Sequence, residues 1–144
     1  EKFLNFPYAT HYVQKREFDF ATGVGSASYL PEEFSGLKDF SKLVWLEEDQ
    51  GQIGSNIFYE LTSAHSAFHQ VFWIKSGDET LFFGGDDAPQ LQQMKSKFVA
   101  KYDFDGKKCM ALRQSWWEKG QAENWTFLFY HDINSPAFRP GAGS

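Results

Sequence analysis

Residues 98–117 read FVAKYDFDGKKCMALRQSWW, and the Asp105-Gly106 pair in this stretch decides the predicted fold. An Asp-Gly pair favours a two-residue type I′ turn, because both central residues of that turn take positive φ. Such a turn would place Phe104 opposite Lys107 and Phe98 opposite Arg113. The stretch therefore predicts a β-hairpin made of two antiparallel strands.

The hairpin register predicts a binding wall, because side chains alternate between the two faces of a strand. One face would carry Phe98, Ala100, Tyr102, Cys109, Ala111, Arg113, Ser115 and Trp117. This face is apolar and aromatic, and it contains one guanidinium. We predict that Phe98, Tyr102, Arg113 and Trp117 line a ligand cavity in which Arg113 orients a polar or anionic group.

The partner of Arg113 is left open by the sequence. A buried guanidinium without a partner costs several kcal/mol, so an anionic group must face it. A carboxylate of the chain itself, such as Glu60 or Asp103, is the alternative to a ligand.

Working outward, further short apolar runs separated by turns predict more strands. A first strand is expected at 13–20, the turn at 76–79 separates strands 71–75 and 80–83, and the turn at 118–121 separates strands 112–117 and 125–130. Consecutive hairpins indicate a mainly β protein, an antiparallel meander that forms a barrel or a strongly curved sheet of lipocalin-like architecture. Two short helices are expected, one after Pro31 and one at about 88–96. We predict one β-rich domain at 1–134 and an extended C-terminal tail at 135–144, pinned by Phe138.

Composition excludes several classes of function. The net charge is −5 and the Lys and Arg residues are scattered, which argues against nucleic-acid binding. No stretch approaches the roughly 20 apolar residues of a membrane span. Cys109 is the single cysteine, so no intrachain disulfide can form and redox chemistry does not indicate the compartment. The chain begins without Met, as a processed or trimmed form would, and we favour a secreted or periplasmic location slightly over the cytoplasm.

Two histidines are candidate metal ligands. His65 and His69 lie four residues apart and would face the same way on either a helix or a strand. No Glu stands between them as in zinc proteases, and no cysteine or third histidine is near in sequence. An ordinary loop before a strand is the alternative. The sequence therefore requires no cofactor and identifies none.

The aromatic content decides the predicted function. The chain contains 16 Phe, 6 Tyr and 5 Trp in 144 residues, more ring surface than a small β domain needs for its core. We therefore expect an acidic, soluble, non-enzymatic protein that binds an apolar small molecule with one polar or anionic group. The alternative is an interaction domain or subunit, a homo-oligomer or a chain buried against another protein, because several strands are apolar on both faces. A small lyase or isomerase using the same cavity, with His65, His69 or Tyr102 as proton carrier, is a third hypothesis.

Overall fold

The computed structural model describes residues 4–23 and 29–141, which form two compact units, Glu1–Glu48 and Asp49–Ser144. In the first unit, β1 (His11–Gln14) pairs in parallel with β2 (Leu43–Leu46). Helix α1 (Lys15–Thr22) follows β1 directly, and α2 (Pro31–Phe34) leads into a 3₁₀ helix at Ser35–Asp39. The predicted strand at 13–20 is therefore wrong, because the chain turns into a helix at Lys15.

Aromatic edge-to-face contacts hold the first unit together. The ring of Phe18 in α1 lies 5.9 Å from the ring of Phe34 and 5.0 Å from that of Trp45. Such pairs add about 0.5–1.5 kcal/mol to the burial of their surface. The side chain of Gln14 accepts a hydrogen bond from the backbone N–H of Arg16 at 3.3 Å, which starts α1 at the end of β1.

The second unit is built on one mixed sheet. Its strands are β3 (Gln50–Ile53), β4 (Ile57–Leu61), β5 (Gln70–Ser76), β6 (Glu79–Phe83), β7 (Thr126–Leu128) and β8 (Ala137–Phe138), in that spatial order. All neighbours are antiparallel except β6 and β7, which are parallel. A parallel pair needs a crossover connection, and here the connection carries α3 (Leu91–Lys95) and α4 (Gly106–Glu123).

The predicted barrel is wrong, since the six strands form an open mixed sheet with helices in the connection between β6 and β7. The error arises at Asp105-Gly106. Instead of a hairpin turn, Asp105 is the N-cap of the 18-residue helix α4, and its side chain accepts a hydrogen bond from the N–H of Lys108 at 3.0 Å. The predicted turn at 118–121 lies inside the same helix.

Helix α4 supplies the core that covers one face of the sheet. Its buried residues, Cys109, Arg113, Trp116 and Gly120, recur at helical spacing. The Trp116 ring lies 4.8 Å from that of Phe82 in β6, and the Trp117 ring lies 5.3 Å from that of Phe127 in β7. A Cβ at Gly120 would come within 2.3 Å of the Phe127 ring, so glycine lets the helix approach β7 closely.

Other predictions fare differently. The turn at 76–79 is confirmed, because Ser76 pairs with Glu79 and Gly77 takes a φ of +58°. Helices are confirmed after Pro31 and within 88–96, although α3 spans only Leu91–Lys95. Phe138, predicted to pin the tail, lies in β8 and stacks on Trp117 at 6.1 Å. The boundaries of the single domain at 1–134 and the tail at 135–144 stay a prediction, and residues 142–144 of that tail lie outside the described residues. No helix of the described residues is long and apolar enough to cross a membrane.

Candidate functional site

Polar side chains gather at one edge of the six-stranded sheet. Parallel strands place their carboxyl ends at the same edge, and this is where open α/β sheets bind ligands. The chain after β6 reaches Asp86 and Asp87, and the chain after β7 reaches His131. The antiparallel strand β5 starts at the same edge, and it is preceded by His65 and His69.

The carboxylate of Asp86 lies between two imidazoles. One oxygen, Oδ2, is 3.5 Å from Nε2 of His65, and the other, Oδ1, is 3.6 Å from Nε2 of His131. The hydroxyl of Tyr130 donates a hydrogen bond to Oδ1, and the Tyr130 ring packs against the His131 ring with 3.9 Å between centroids. The Asp86 side chain is 40% exposed and that of His131 is 58% exposed, so the group is open to solvent.

The orientation of His65 is fixed from behind by Asp103. The Nδ1 atom of His65 lies 2.9 Å from Oδ1 of Asp103, whose side chain is only 2% exposed. The loop that carries Asp103 is also bonded to the backbone of His65, because the N–H of Phe104 donates to the carbonyl of His65 at 3.0 Å. Nδ1 can donate its proton to Asp103, and Nε2 then lies on the side of Asp86.

The loop after β7 holds His131 in place. The carboxylate of Asp132 accepts hydrogen bonds from the N–H groups of Leu91, Ser135 and Asn134 at 2.9, 2.9 and 3.1 Å. These backbone hydrogen bonds lower the pKa of Asp132, because they stabilise the ionised carboxylate. The N–H of His131 itself donates to the carbonyl of Pro89 at 3.2 Å, so the loop is attached to the segment that begins α3.

Asp87, the neighbour of Asp86, is fully buried and heavily bonded. Its carboxylate accepts from the hydroxyl of Thr62 at 2.5 Å and the N–H of His65 at 2.8 Å, and it lies 3.1 Å from Nδ1 of His69. Burial by itself favours the neutral acid, but the hydrogen bond from His69, and then those from Thr62 and the N–H of His65, lower the pKa of Asp87 overall. The residue is therefore a buried anchor, whereas Asp86 faces the open site.

Helix α4 contacts this anchor through Cys109 and Arg113. The Nη1 atom of Arg113 donates to the backbone carbonyl of Asp87 at 2.9 Å, and Nη2 donates to the carbonyl of Phe98. The Cys109 thiol donates to the same Asp87 carbonyl at 3.4 Å. Burial first, and then the negative charge of Asp87, raise the pKa of Cys109 to about 12. The thiol is therefore protonated at neutral pH and is no nucleophile.

The four residues predicted to form a ligand wall do not share a face. Arg113 and Trp117 lie on α4, Arg113 being 2% exposed, whereas Phe98 and Tyr102 precede the helix and are 41% and 83% exposed. The common face depended on the hairpin, which does not form. Arg113 donates to the backbone carbonyls of Asp87 and Phe98 and to the sulfur of Cys109, and not to the carboxylate of Glu60 or Asp103. Ligand contact by these four residues stays a prediction.

The two histidines predicted as weak metal candidates have different surroundings. His65 keeps Nε2 toward Asp86, whereas His69 has both ring nitrogens engaged within the chain. The sequence analysis missed Asp86 and His131. Each lies three residues after the end of an apolar strand, a position that ordinary turns share.

The acidic and histidine side chains of the described residues do not by themselves form a metal-binding cluster. Among residues 4–23 and 29–141, no three or more His, Cys, Asp or Glu side chains are placed to hold one ion by themselves. Asp86 instead offers each of its oxygens to a different imidazole. The arrangement is that of a carboxylate able to bridge two centres, each with one histidine.

Comparison with known proteins finds similar structures. No protein-family model and no curated protein matches the sequence. A probable metal-dependent hydrolase from Staphylococcus aureus has a TM-score of 0.79 and 24% identity over 93% of this chain and 48% of its own. The dizinc quorum-quenching lactonase AidC, solved with a product, has a TM-score of 0.72 and 18% identity over 94% of this chain and 52% of its own. A mutant of AiiA from B. thuringiensis, with N-decanoyl-L-homoserine bound at its active site, has a TM-score of 0.65 and 18% identity over 85% of this chain and 46% of its own.

These structures correct the predicted function. The non-enzymatic, lipocalin-like binding protein is wrong, because the similar structures are hydrolases and the sheet does not close into a barrel. The preference against an enzyme is wrong for the same reason. The chain spans about half the length of the proteins that it resembles. At such identities the likeness establishes the fold, and the chain is similar to about half of a metallo-β-lactamase fold hydrolase.

Proposed function

We propose that the chain contributes His65, Asp86 and His131 to a two-metal hydrolytic site. The observation that carries this proposal is the Asp86 carboxylate, each oxygen of which faces the Nε2 of a different histidine. Two ligands about 2.1 Å from a tetrahedral zinc ion lie about 3.4 Å apart. The observed separations of 3.5 and 3.6 Å fit this spacing.

The buried partner of His65 supports the same proposal. Histidines that bind metals usually give their other ring nitrogen to a carboxylate, which fixes the tautomer and the ring orientation. The contact of 2.9 Å between His65 and Asp103 has this form. Metal ions in two-metal sites lower the pKa of bound water and polarise the scissile group. In this chain, His65 and His131 would bind one ion each, and Asp86 would bridge the two.

The remaining ligands must come from protein outside the described residues. A catalytic zinc ion usually has three protein ligands, whereas here each ion would receive one imidazole and one carboxylate oxygen. We therefore propose that hydrolysis requires additional protein, and that the isolated chain binds metal only weakly. The solved relatives with bound homoserine products make acyl homoserine lactones the first substrates to assay.

Zinc binding by the purified 144-residue chain tests this proposal. Titration calorimetry, or competition with a chromophoric chelator, should detect zinc binding that Asp86→Ala abolishes. Asp78→Ala is the matched control, since Asp78 lies in the turn between β5 and β6. Equal zinc affinity in the two variants would refute the role of Asp86, and no zinc binding by the wild-type chain would refute the proposal as a whole.

An apolar portion of the substrate is proposed to contact the segment beside Asp103. Tyr102 is 83% exposed and Phe98 is 41% exposed, and both belong to the loop that fixes His65. Exposed aromatic rings on the loop that contacts His65 suit the acyl chain of a substrate. Binding of long-chain and short-chain acyl homoserines to the purified wild-type and Tyr102→Ser chains tests the idea. We expect the preference for long chains to fall, and an unchanged ratio would contradict it.

We also propose a protein partner, or a second copy of the chain. Ile57, Ile74 and Leu81 face each other across β4, β5 and β6, on the face opposite Phe82 and the helices. Apolar side chains on both faces of a sheet indicate that both are covered. Sedimentation velocity and binding of an apolar dye test this. A monomer that binds no dye would contradict it.

A further inference from the structure

The ring of His69 is bonded on both sides. Its Nε2 accepts a hydrogen bond from the backbone N–H of Asp86 at 3.2 Å, and its Nδ1 lies 3.1 Å from a carboxylate oxygen of Asp87. An N–H group that points at Nε2 requires a lone pair there, which places the ring proton on Nδ1. Nδ1 therefore donates to Asp87, and neither nitrogen is left for a metal ion.

The backbone around Asp86 is shaped to receive this ring. Gly85 takes a φ of +54°, and a Cβ at that position would lie 2.9 Å from Nε2 of His69 and 3.0 Å from its Cε1. Only glycine adopts this conformation readily, and only glycine leaves space for the imidazole. The turn that carries Asp86 is thus packed directly against His69.

On its other side, the His69 ring contacts Asp87, whose carboxylate is fixed by hydrogen bonds. Asp87 has no exposed side-chain surface, and Thr62 and the N–H of His65 hold its carboxylate. Its backbone carbonyl accepts from Arg113 of α4 at 2.9 Å. The chain of contacts therefore runs from α4 through Asp87 and His69 to the backbone of Asp86.

We propose that His69 is a positioning residue for Asp86. It holds the N–H of Asp86 so that the carboxylate lies between His65 and His131, and it is not itself a metal ligand. This role deepens the proposed function and rests on it for its consequence in metal binding, whereas the hydrogen bond to Asp86 exists without metal.

Nuclear magnetic resonance of the metal-free protein tests the contact directly. Long-range proton–nitrogen spectra at pH 7.5 should show His69 with its proton on Nδ1. Amide exchange at Asp86 should accelerate at least about tenfold in His69→Phe, which keeps a ring but removes the acceptor. A proton on Nε2 in the wild-type protein, or unchanged exchange in the variant, would overturn the proposal.

Zinc affinity measures the consequence of the contact. Loss of a residue that orients a metal ligand typically costs about 10- to 100-fold in affinity, and we expect this for His69→Phe. His69→Gln should bind zinc more tightly than His69→Phe, because the Gln carbonyl can accept from the Asp86 N–H. His11→Phe, which removes a histidine of the first unit, should bind zinc like the wild-type chain.

The two measurements separate the possible failures. A wild-type chain without zinc binding refutes the two-metal proposal, and the tautomer and exchange data then decide the role of His69 alone. Zinc affinity that is equal in His69→Phe and the wild type shows that His69 does not position Asp86. The wild-type tautomer needs no variant, so the test holds even if His69→Phe fails to fold.

Discussion

Replacement of the buried Arg113 by methionine should destabilise the protein strongly. The guanidinium is 2% exposed, and its Nη1 and Nη2 donate to the backbone carbonyls of Asp87 and Phe98. Each hydrogen bond from a charged group contributes about 1.5–3 kcal/mol, so the two bonds to carbonyl oxygens correspond to about 3–6 kcal/mol, and the contact with the Cys109 sulfur is lost as well. Two effects reduce this loss. The Asp87 carbonyl keeps the thiol of Cys109, and removal of the charge also removes a buried Nε that has no hydrogen-bond partner.

We therefore expect Arg113→Met to lower the free energy of unfolding by about 2–4 kcal/mol. Urea unfolding followed by tryptophan fluorescence measures this value. The matched control is Arg139→Met, because Arg139 forms an ion pair with Glu79 at the surface, where its side chain is 39% exposed. Such pairs contribute about 0–1 kcal/mol. A loss below about 1 kcal/mol at Arg113, or one no larger than at Arg139, would refute the conclusion that the hydrogen bonds of Arg113 stabilise the fold at Asp87.

Three further predictions follow from the same region of the structure. Asp105→Ala should lower the free energy of unfolding by about 1 kcal/mol, the usual value of an N-cap, in the same urea assay, and no change would argue against the cap. The Cys109 thiol should not react with a thiol reagent at pH 8 in the folded protein, because burial raises its pKa to about 12, and it should react after unfolding in urea; rapid reaction in the folded state would contradict this. The lowered pKa of Asp87 contributes stability that is complete above the unfolded value, near 3.8, and is lost as the pH falls through the folded-state value. Acid unfolding of Asp87→Asn should therefore depend less on pH below 3.8 than that of the wild type, and parallel curves for the two proteins would count against the assignment.

The sequence predicted structure correctly where a local turn signal joins two strands that pair with each other. Gly77-Asp78 joins β5 and β6 as predicted, since a short turn between two apolar runs leaves few alternatives. At Asp105-Gly106 the same kind of signal was ambiguous, because Asp is favoured both in a tight turn and at a helix N-cap. The spacing of Cys109, Arg113, Trp116 and Gly120 would have favoured the helix.

The candidate site was only partly accessible from the sequence. His65 was identified as a candidate, but the groups that it contacts are Asp86 and Asp103, which lie 21 and 38 positions further along the chain. Asp86 was not among the candidates, because an acid beside glycine usually lies in a solvated turn. Nothing local distinguishes such a turn from one that a parallel strand pair brings to a reactive edge.

The sequence by itself determined the turn at 76–79 and the two strands that it joins, and it identified the short helices after Pro31 and within 88–96. The tertiary structure decided the parallel pairing of β6 with β7, which depends on a crossover through α3 and α4. That pairing places Asp86 and His131 at one edge, next to the start of β5 and His65. Local propensities extend over a few residues, whereas strand order is set by the burial of whole faces, and so the site emerges only when the chain is folded.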